Sequence, residues 1–202
     1  ANWIKDGQNL GLNIAALADT QTAGAGLVIT TYANYAANDA ISRRDWDFVV
    51  YDESHKLAAN QAGNETAYTE RHDQIIRRPS ALRALARTRL EEKDRARMDA
   101  IEQRLQGRLS AMALSREEQR EYRELEAQVD ALAQTLGSQP RPKVVFLSAT
   151  PFAYHDNLDY AESLLFEYGA DPESRGYNTP SARQAFMIQH FGYQMRTGKL
   201  SK

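Results

Sequence analysis

The feature that most limits the folds open to this chain is the charged stretch from Ala81 to Gln134. It contains eleven Lys or Arg residues and eleven Asp or Glu residues, no proline, and a single glycine, Gly107. This composition is typical of long, solvated helices and is unsuitable for buried strands. Any fold proposed for the chain must therefore include a long helical segment near its middle.

Apolar residues within this stretch recur at helical spacing and divide into two sets. The first set is Met98, Ile101, Leu105, Leu109 and Met112; the second is Tyr122, Leu125, Val129, Leu132 and Leu136. Between the sets, Ser115 and Glu118 form the Ser-x-x-Glu pattern of a capping box, which begins a new helix. Gly137 and Pro140 are expected to end that helix. We therefore predict a helical hairpin, inserted at residues 61–137, whose two apolar seams face each other.

The hairpin's charges allow two interpretations. In one, they are solvated helix faces and the seam is only packing. In the other, part of the surface contacts a protein partner or a nucleic acid.

Short apolar runs typical of strands lie on both sides of the predicted hairpin. Residues 12–17 are a possible strand, and residues 26–32 are a better one because they are β-branched and bounded by glycine. Residues 47–51 show no alternation, which is expected of a strand covered on both faces in a parallel sheet. A similar run at residues 143–147 is followed by the hydroxyl side chains of Ser148 and Thr150. These runs predict an α/β fold with a parallel sheet, formed by the segments before and after the hairpin.

Two further helices are predicted near the end of the chain. Asp156 or Asn157 can cap a helix that continues to Tyr168. An amphipathic helix is expected from Ser181 onward, with Ala185, Ile188 and Phe191 on one side. Together with the strands, these helices predict a sheet flanked by helices in residues 1–60 and 138–202.

The sequence VVYDESHKL, from Val49 to Leu57, places two adjacent carboxylates directly after a predicted strand. In nucleoside triphosphatases, an acid at such a strand end holds Mg²⁺, usually through water. The next acid can orient and deprotonate the water that attacks the γ-phosphate. The simpler interpretation is that Asp52 and Glu53 cap a following helix. A metal site formed by Asp52, Glu53 and His55 themselves is disfavoured, because adjacent residues on a strand cannot readily converge on one ion.

These residues also carry a resemblance to a known family. DESH resembles the DEAH-type motif II of superfamily 2 helicases and translocases, and LSATPF, from Leu147 to Phe152, resembles their motif III. The segment 27–60 is similar to Swi/Snf-type and strawberry-notch-like translocases. In them a Thr-Thr-Tyr strand, a Trp-Asp pair, the acidic box and a Lys-Leu...Asn tail follow in this order. The resemblance covers roughly residues 26–60 and 143–158.

The resemblance implies a partial RecA-like (P-loop NTPase) lobe that uses ATP and Mg²⁺ and moves along nucleic acid. By this resemblance, Asp52 corresponds to the acid that coordinates Mg²⁺ through water, and Glu53 to the base for the attacking water. His55 links the nucleotide site to Ser148 and Thr150 of motif III. Thr30 and Thr31 correspond to residues that contact the nucleic-acid backbone, and the Swi/Snf-like spacing favours DNA over RNA. Ser54 replaces the alanine of the commonest box.

A phosphate-binding loop of the form Gly-x-x-x-x-Gly-Lys-Ser/Thr does not occur in the sequence. Because the family's loop precedes the first element seen here, we expect it upstream of Ala1, and the second RecA-like lobe elsewhere in a longer parent protein. The 202-residue chain alone is therefore expected to be inactive. By analogy, loss of the loop strand would leave Val144–Leu147 as an open sheet edge that promotes self-association.

Composition narrows the remaining alternatives. Cysteine is absent, which excludes disulfides and favours a reducing, cytoplasmic setting, and no apolar run is long enough for a membrane span. The net charge of -2 does not by itself indicate nucleic-acid binding. A second hypothesis is a non-catalytic interaction module that binds a partner through the hairpin. An α/β hydrolase is disfavoured because no Gly-x-Ser-x-Gly elbow occurs.

Overall fold

The computed structural model describes residues 3–16, 26–58, 66–106, 114–149, 155–169, 181–196 and 199–201. The chain has a mixed α/β fold and divides into two compact units. The first unit consists of residues 1–50 and 65–145, and the second of residues 51–64 and 146–202. Among the described residues, no helix combines the length and the apolar character needed to cross a membrane.

Helices make up most of the described structure. They are α1 (Trp3–Asn9), α2 (Tyr32–Ala37), α3 (Asp39–Arg43), α4 (Ala67–Ile75), α5 (Leu82–Arg89), α6 (Glu92–Gln106), α7 (Arg116–Ser138) and α8 (Ala182–Phe191). The strands are short: β1 (Ile14–Ala16), β2 (Leu27–Ile29), β3 (Phe48–Asp52), β4 (Lys143–Leu147), β5 (Gln194–Arg196) and β6 (Lys199–Ser201).

The described strands form three separate two-stranded sheets. β1 pairs with β2 in parallel, and β5 pairs with β6 in an antiparallel hairpin. β3 pairs with β4; the Lys143 amide donates to the Asp47 carbonyl at 2.9 Å, and the rings of Tyr51 and Phe146 stack at 5.9 Å. These contacts pair Asp47 with Lys143 and Tyr51 with Phe146, so residue numbers increase in the same direction along both strands. β3 and β4 therefore run parallel, as their sequences predict.

The strand predicted at residues 26–32 is shorter in the structure. β2 ends at Ile29, and Tyr32 already begins α2. The cause is Thr31, whose hydroxyl accepts a hydrogen bond from the Asn34 amide at 3.3 Å and so caps the helix.

The apolar core of the first unit lies between α5, α6 and α7. Its buried residues are Leu85, Ala86, Leu90, Met98, Leu125, Val129, Ala133 and Leu136. The predicted seam of α7 is therefore confirmed, and Met98 on α6 contributes to the same core. The predicted hairpin is incomplete, because a third helix, α5, packs against α7 as well. The predicted capping box is present: the Glu118 amide donates to Ser115 Oγ at 3.2 Å, and the Ser115 amide donates to Glu118 Oε2 at 3.0 Å.

Many charges of this helical region pair with one another across helices. Arg87 on α5 bonds Asp99 and Glu102 on α6, and the Glu102 contact is 2.6 Å. Arg97 on α6 bonds Glu121 on α7 at 2.9 Å. Since such pairs join different helices, part of the charge in this stretch serves the packing of the helices themselves.

A polar cluster ties α3 to α4 and α5 in the same unit. Arg71, largely buried, donates to the Asp39 carboxylate and to the Ala36 carbonyl, each at 2.9 Å. Asp45 accepts from Arg77 at 2.7 Å and from Arg89 at 2.8 Å. The hydrogen bond and charge of Arg89, and then the hydrogen bond and charge of Arg77, hold the pKa of Asp45 below its usual value, against the opposing effect of burial.

Two sequence predictions about burial and helix formation are wrong. Phe48 and Val50 on β3 are 53% and 51% exposed, whereas the sequence predicts a strand covered on both faces. The helix predicted to continue to Tyr168 is replaced by a 3₁₀ helix, His155–Ala161, followed by a turn in which Ser163 has φ 63°.

Tertiary contacts of the second unit explain why that helix does not form. Phe166 and Tyr168 pack on the Phe186 ring of α8, with ring centroids 4.9 and 5.4 Å apart, and the Tyr168 hydroxyl donates to Asp159 at 2.6 Å. These aromatic contacts outweigh local helix propensity. The predicted helix after Ser181 is confirmed as α8, but its buried residues are Ala182 and Met187, and Phe191 is 40% exposed.

Candidate functional site

The acidic box, Asp52 to His55, lies at the end of β3, in the second unit. Asp52 is the last strand residue, and Glu53 follows with left-handed backbone angles, φ 54° and ψ 49°. The chain then forms a 3₁₀ turn, Ser54–Leu57, in which the Lys56 amide donates to the Glu53 carbonyl at 3.0 Å. The left-handed conformation of Glu53 turns the chain away from the strand direction. Asp52 therefore belongs to the strand, whereas Glu53 begins the turn.

The simpler interpretation, that these acids cap a following helix, is not supported for Glu53. Glu53 stands at the cap position of the 3₁₀ turn, but its side chain makes no capping hydrogen bond. Asp52 Oδ1 accepts from the amide of Glu53, its immediate neighbour, at 3.0 Å. Both carboxylates lie at the surface.

His55 contacts both Glu53 of the acidic box and Ser148, in the segment that follows β4. Its Nδ1 atom lies 3.2 Å from Glu53 Oε2 and 3.1 Å from Ser148 Oγ. The His55 side chain is 37% exposed and that of Glu53 is 53% exposed. The structure therefore brings together three residues that the sequence singled out, from positions 93 residues apart in the case of His55 and Ser148. Thr150, predicted to act with Ser148, lies outside the described residues.

The turn is anchored from beneath by buried residues. Ser54 and Leu57 are both 0% exposed, and Ser54 Oγ lies 3.4 Å from the hydroxyl oxygen of Tyr160, itself 2% exposed. The Tyr160 ring in turn meets Phe146 of β4 edge-on, with centroids 5.0 Å apart. Tyr160 was not singled out from the sequence, where nothing in its surroundings distinguishes it from an ordinary core tyrosine.

Thr30 and Thr31, predicted to contact nucleic-acid phosphates, lie in the first unit, between β2 and α2. Thr30 Oγ1 accepts from the Asn34 side-chain amide at 2.8 Å, and Thr31 caps α2. Both hydroxyls thus have local structural partners.

Asp52 offers one exposed carboxylate at the end of β3 as a candidate ligand. Within the described ranges, no group of three or more His, Asp or Glu residues is arranged to hold a metal ion. Mg²⁺ differs from directly ligated metals because it keeps several waters and takes one or two protein carboxylates plus phosphate oxygens, so a single carboxylate does not exclude it.

Comparisons with known proteins identify no relative: no protein-family model, no curated protein and no solved structure matches the chain. The functional interpretation therefore depends on the order of the motifs and on the geometry of the box.

Proposed function

We propose that this chain supplies the motif II and motif III part of the ATP site of a superfamily 2 helicase or translocase. The observation that carries the proposal is the pair of contacts made by His55 Nδ1, with Glu53 at 3.2 Å and with Ser148 at 3.1 Å. These contacts join the acidic box after one parallel strand to the Ser-Ala-Thr segment after its neighbour. Polar groups at the carboxyl ends of neighbouring parallel strands are where open α/β sheets bind ligands.

The roles of the carboxylates follow from the needs of phosphoryl transfer. Asp52 would hold the water shell of Mg²⁺, which neutralises charge on the phosphates when ATP is bound. Glu53 would orient the attacking water and accept its proton. The left-handed turn after Asp52 is compatible with this division, because it leaves Asp52 as the last strand residue and Glu53 at the start of the 3₁₀ turn.

His55 would act as the connection between hydrolysis and movement. Its Nδ1 atom lies within hydrogen-bond distance of the proposed base and of a motif III hydroxyl, so displacement of Glu53 toward the water would change the His55–Ser148 contact as well. Coupling of this kind lets a loop report whether the γ-phosphate is present.

In this proposal the complete site also needs a phosphate-binding loop and a second RecA-like lobe from a longer parent protein. The substrate would be ATP, and the track nucleic acid, with DNA favoured by the Swi/Snf-like order of motifs. Thr30 and Thr31 would then contact the phosphate backbone, with backbone amides nearby, and would not read bases.

The direct test is Glu53→Gln in the full-length parent. Because an amide cannot accept the water's proton, we expect ATP turnover to fall by about 10²-fold or more while ATP binding is retained. Steady-state phosphate release and equilibrium binding of Mg-ATP measure the two quantities. Glu70→Gln, an exposed glutamate on α4, is the matched control and should leave both unchanged. Turnover equal to wild type in Glu53→Gln would remove Glu53 from the mechanism and favour a non-catalytic role for the box.

A further inference from the structure

We infer that Tyr160 is a positioning residue for the proposed ATP site, acting through the hydroxyl of Ser54; the inference rests on the proposed function for the meaning of that site. The two hydroxyl oxygens lie 3.4 Å apart, across 106 residues of sequence. Tyr160 belongs to the 3₁₀ helix His155–Ala161, and Ser54 is the first residue of the turn that carries the box.

Burial makes this contact consequential. Ser54 is 0% exposed and Tyr160 is 2% exposed, so neither hydroxyl can readily exchange its partner for solvent water. A buried polar group that loses its partner costs about 1–3 kcal/mol, more than the bond itself contributes. The pair therefore favours one position of the turn relative to the 3₁₀ helix that contains Tyr160.

Aromatic contacts fix the other end of the arrangement. Phe146 on β4 stacks on Tyr51 of β3 at 5.9 Å and meets Tyr160 edge-on at 5.0 Å. The ring of Tyr160 therefore packs against Phe146 of the β3–β4 sheet, and its hydroxyl contacts Ser54 of the box. An alanine at position 54, as in the commonest form of the box, could not form the hydroxyl contact.

The Ser54–Tyr160 pair positions the polar contacts that His55 makes on the other side of the turn. Ser54 lies between Glu53 and His55 in sequence, and His55 contacts Glu53 at 3.2 Å and Ser148 at 3.1 Å. A shift of the turn at Ser54 would therefore alter both contacts of His55 without any change to the residues that make them.

The experiment uses the 202-residue chain without nucleotide and measures the ¹⁵N resonance of His55 Nδ1 by NMR. His55→Gln assigns the signal among the four histidines of the chain. Ser148→Ala provides the reference spectrum of His55 without its hydroxyl partner. We expect Tyr160→Phe to move the His55 signal toward that reference. Tyr122→Phe, which removes a hydroxyl that lies 3.4 Å from Glu102, is the matched control and should leave it in place.

A His55 signal unchanged in folded Tyr160→Phe would overturn the inference. If that variant does not fold, the double variant Ser54→Ala/Tyr160→Phe replaces it, because removing both hydroxyls leaves neither one buried without a partner. The same criterion applies: a shifted signal supports the inference and an unchanged one contradicts it.

In the full-length parent, kcat and KM for ATP distinguish a purely structural role of Tyr160 from a positioning role. A positioning role predicts that Tyr160→Phe lowers kcat for ATP and leaves KM nearly unchanged, because the turn aligns the proposed base and does not cradle the phosphates. An unchanged kcat would contradict the inference. The NMR result does not depend on hydrolysis, so failure of the proposed function, seen as an active Glu53→Gln, is distinguishable from failure of the positioning role.

Discussion

Glu53 occupies a backbone conformation that side chains rarely adopt. Its φ of 54° and ψ of 49° lie in the left-handed region, where the β-carbon crowds the following carbonyl. Glycine is the residue that adopts these angles without cost. Strain of this kind is retained most often at functional sites, and here it falls on the residue proposed as the catalytic base.

Replacement of Glu53 by glycine or alanine tests the cost of this conformation. We expect Glu53→Gly to be more stable than Glu53→Ala by about 1 kcal/mol, because only the alanine retains a β-carbon in the left-handed region. Urea unfolding of the 202-residue chain measures the difference. At Gln128, an exposed position in the interior of α7, the order should reverse, since glycine destabilises a helix interior relative to alanine. Equal stabilities of the two Glu53 variants would mean that the turn relaxes without strain.

At the level of single residues, the sequence indicates three residues that the structure places in contact: Glu53, His55 and Ser148. Asp52, Glu53 and His55 stand out because two adjacent acids and a histidine follow an apolar strand, and Ser148 because it follows another apolar strand. Tyr160 could not be found in this way. Its importance comes from a contact with Ser54 across 106 residues, and no local pattern encodes a contact of that range.

Asp45 links elements of the first unit through two arginines, and its pKa gives the link a pH dependence. The hydrogen bond from Arg89 is the largest cause of the lowered pKa, and both charges and the bond from Arg77 act in the same direction. A carboxylate with a lower pKa in the folded state stabilises the fold above its unfolded pKa, about 4. That contribution disappears as the pH falls through the folded value.

Asp45→Asn is therefore expected to lower the free energy of unfolding at pH 7, with a difference from wild type that shrinks below about pH 4. Part of the loss arises because Arg77, only 6% exposed, is left with a charge whose partner has gone. Thermal unfolding of both proteins between pH 3 and pH 7 measures it. Asp47→Asn, at an exposed position two residues away, is the control. A difference that does not vary with pH would show that the carboxylate's charge is unimportant.

The core between α5, α6 and α7 makes a prediction at the level of helix packing. Leu125 is 5% exposed within this core, whereas Leu132 on the same helix is only partly buried. Leu125→Ala should reduce the free energy of unfolding by about 3 kcal/mol, through lost burial and the cavity left behind. Leu132→Ala should cost clearly less. Urea unfolding provides both values, and equal losses would contradict the packing described.

Elements with strong local signals were predicted more accurately than those set by distant contacts. The seam of α7 and its capping box follow from spacing and from Ser115 and Glu118 alone. The segment before Tyr168 has helical propensity but takes another path, since Phe166 and Tyr168 pack on Phe186 instead. Sequence spacing indicates which residues are apolar, but not which distant ring they will meet.

At the scale of the whole molecule, the β3–β4 sheet leaves apolar side chains exposed. Phe48 and Val50 on β3 and Val145 on β4 are 53%, 51% and 37% exposed. These residues share one face: alternate residues of a strand point the same way, and the partly buried Phe146 stacks on the buried Tyr51 on the other side. Parallel strands are normally covered on both faces, so this exposure is unusual for such a pair.

We expect this sheet to promote association between copies of the chain, through its exposed face or through an edge of β4. Light scattering over a concentration series should show an average mass that rises above that of a 22.8 kDa monomer. Val145→Lys places a charge on both the face and the strand involved, and should shift the series toward the monomer. Leu10→Lys, at an apolar position 77% exposed in the turn after α1, is the control and should leave association unchanged. A wild-type chain that stays monomeric throughout would mean that exposure of these side chains is tolerated without a partner.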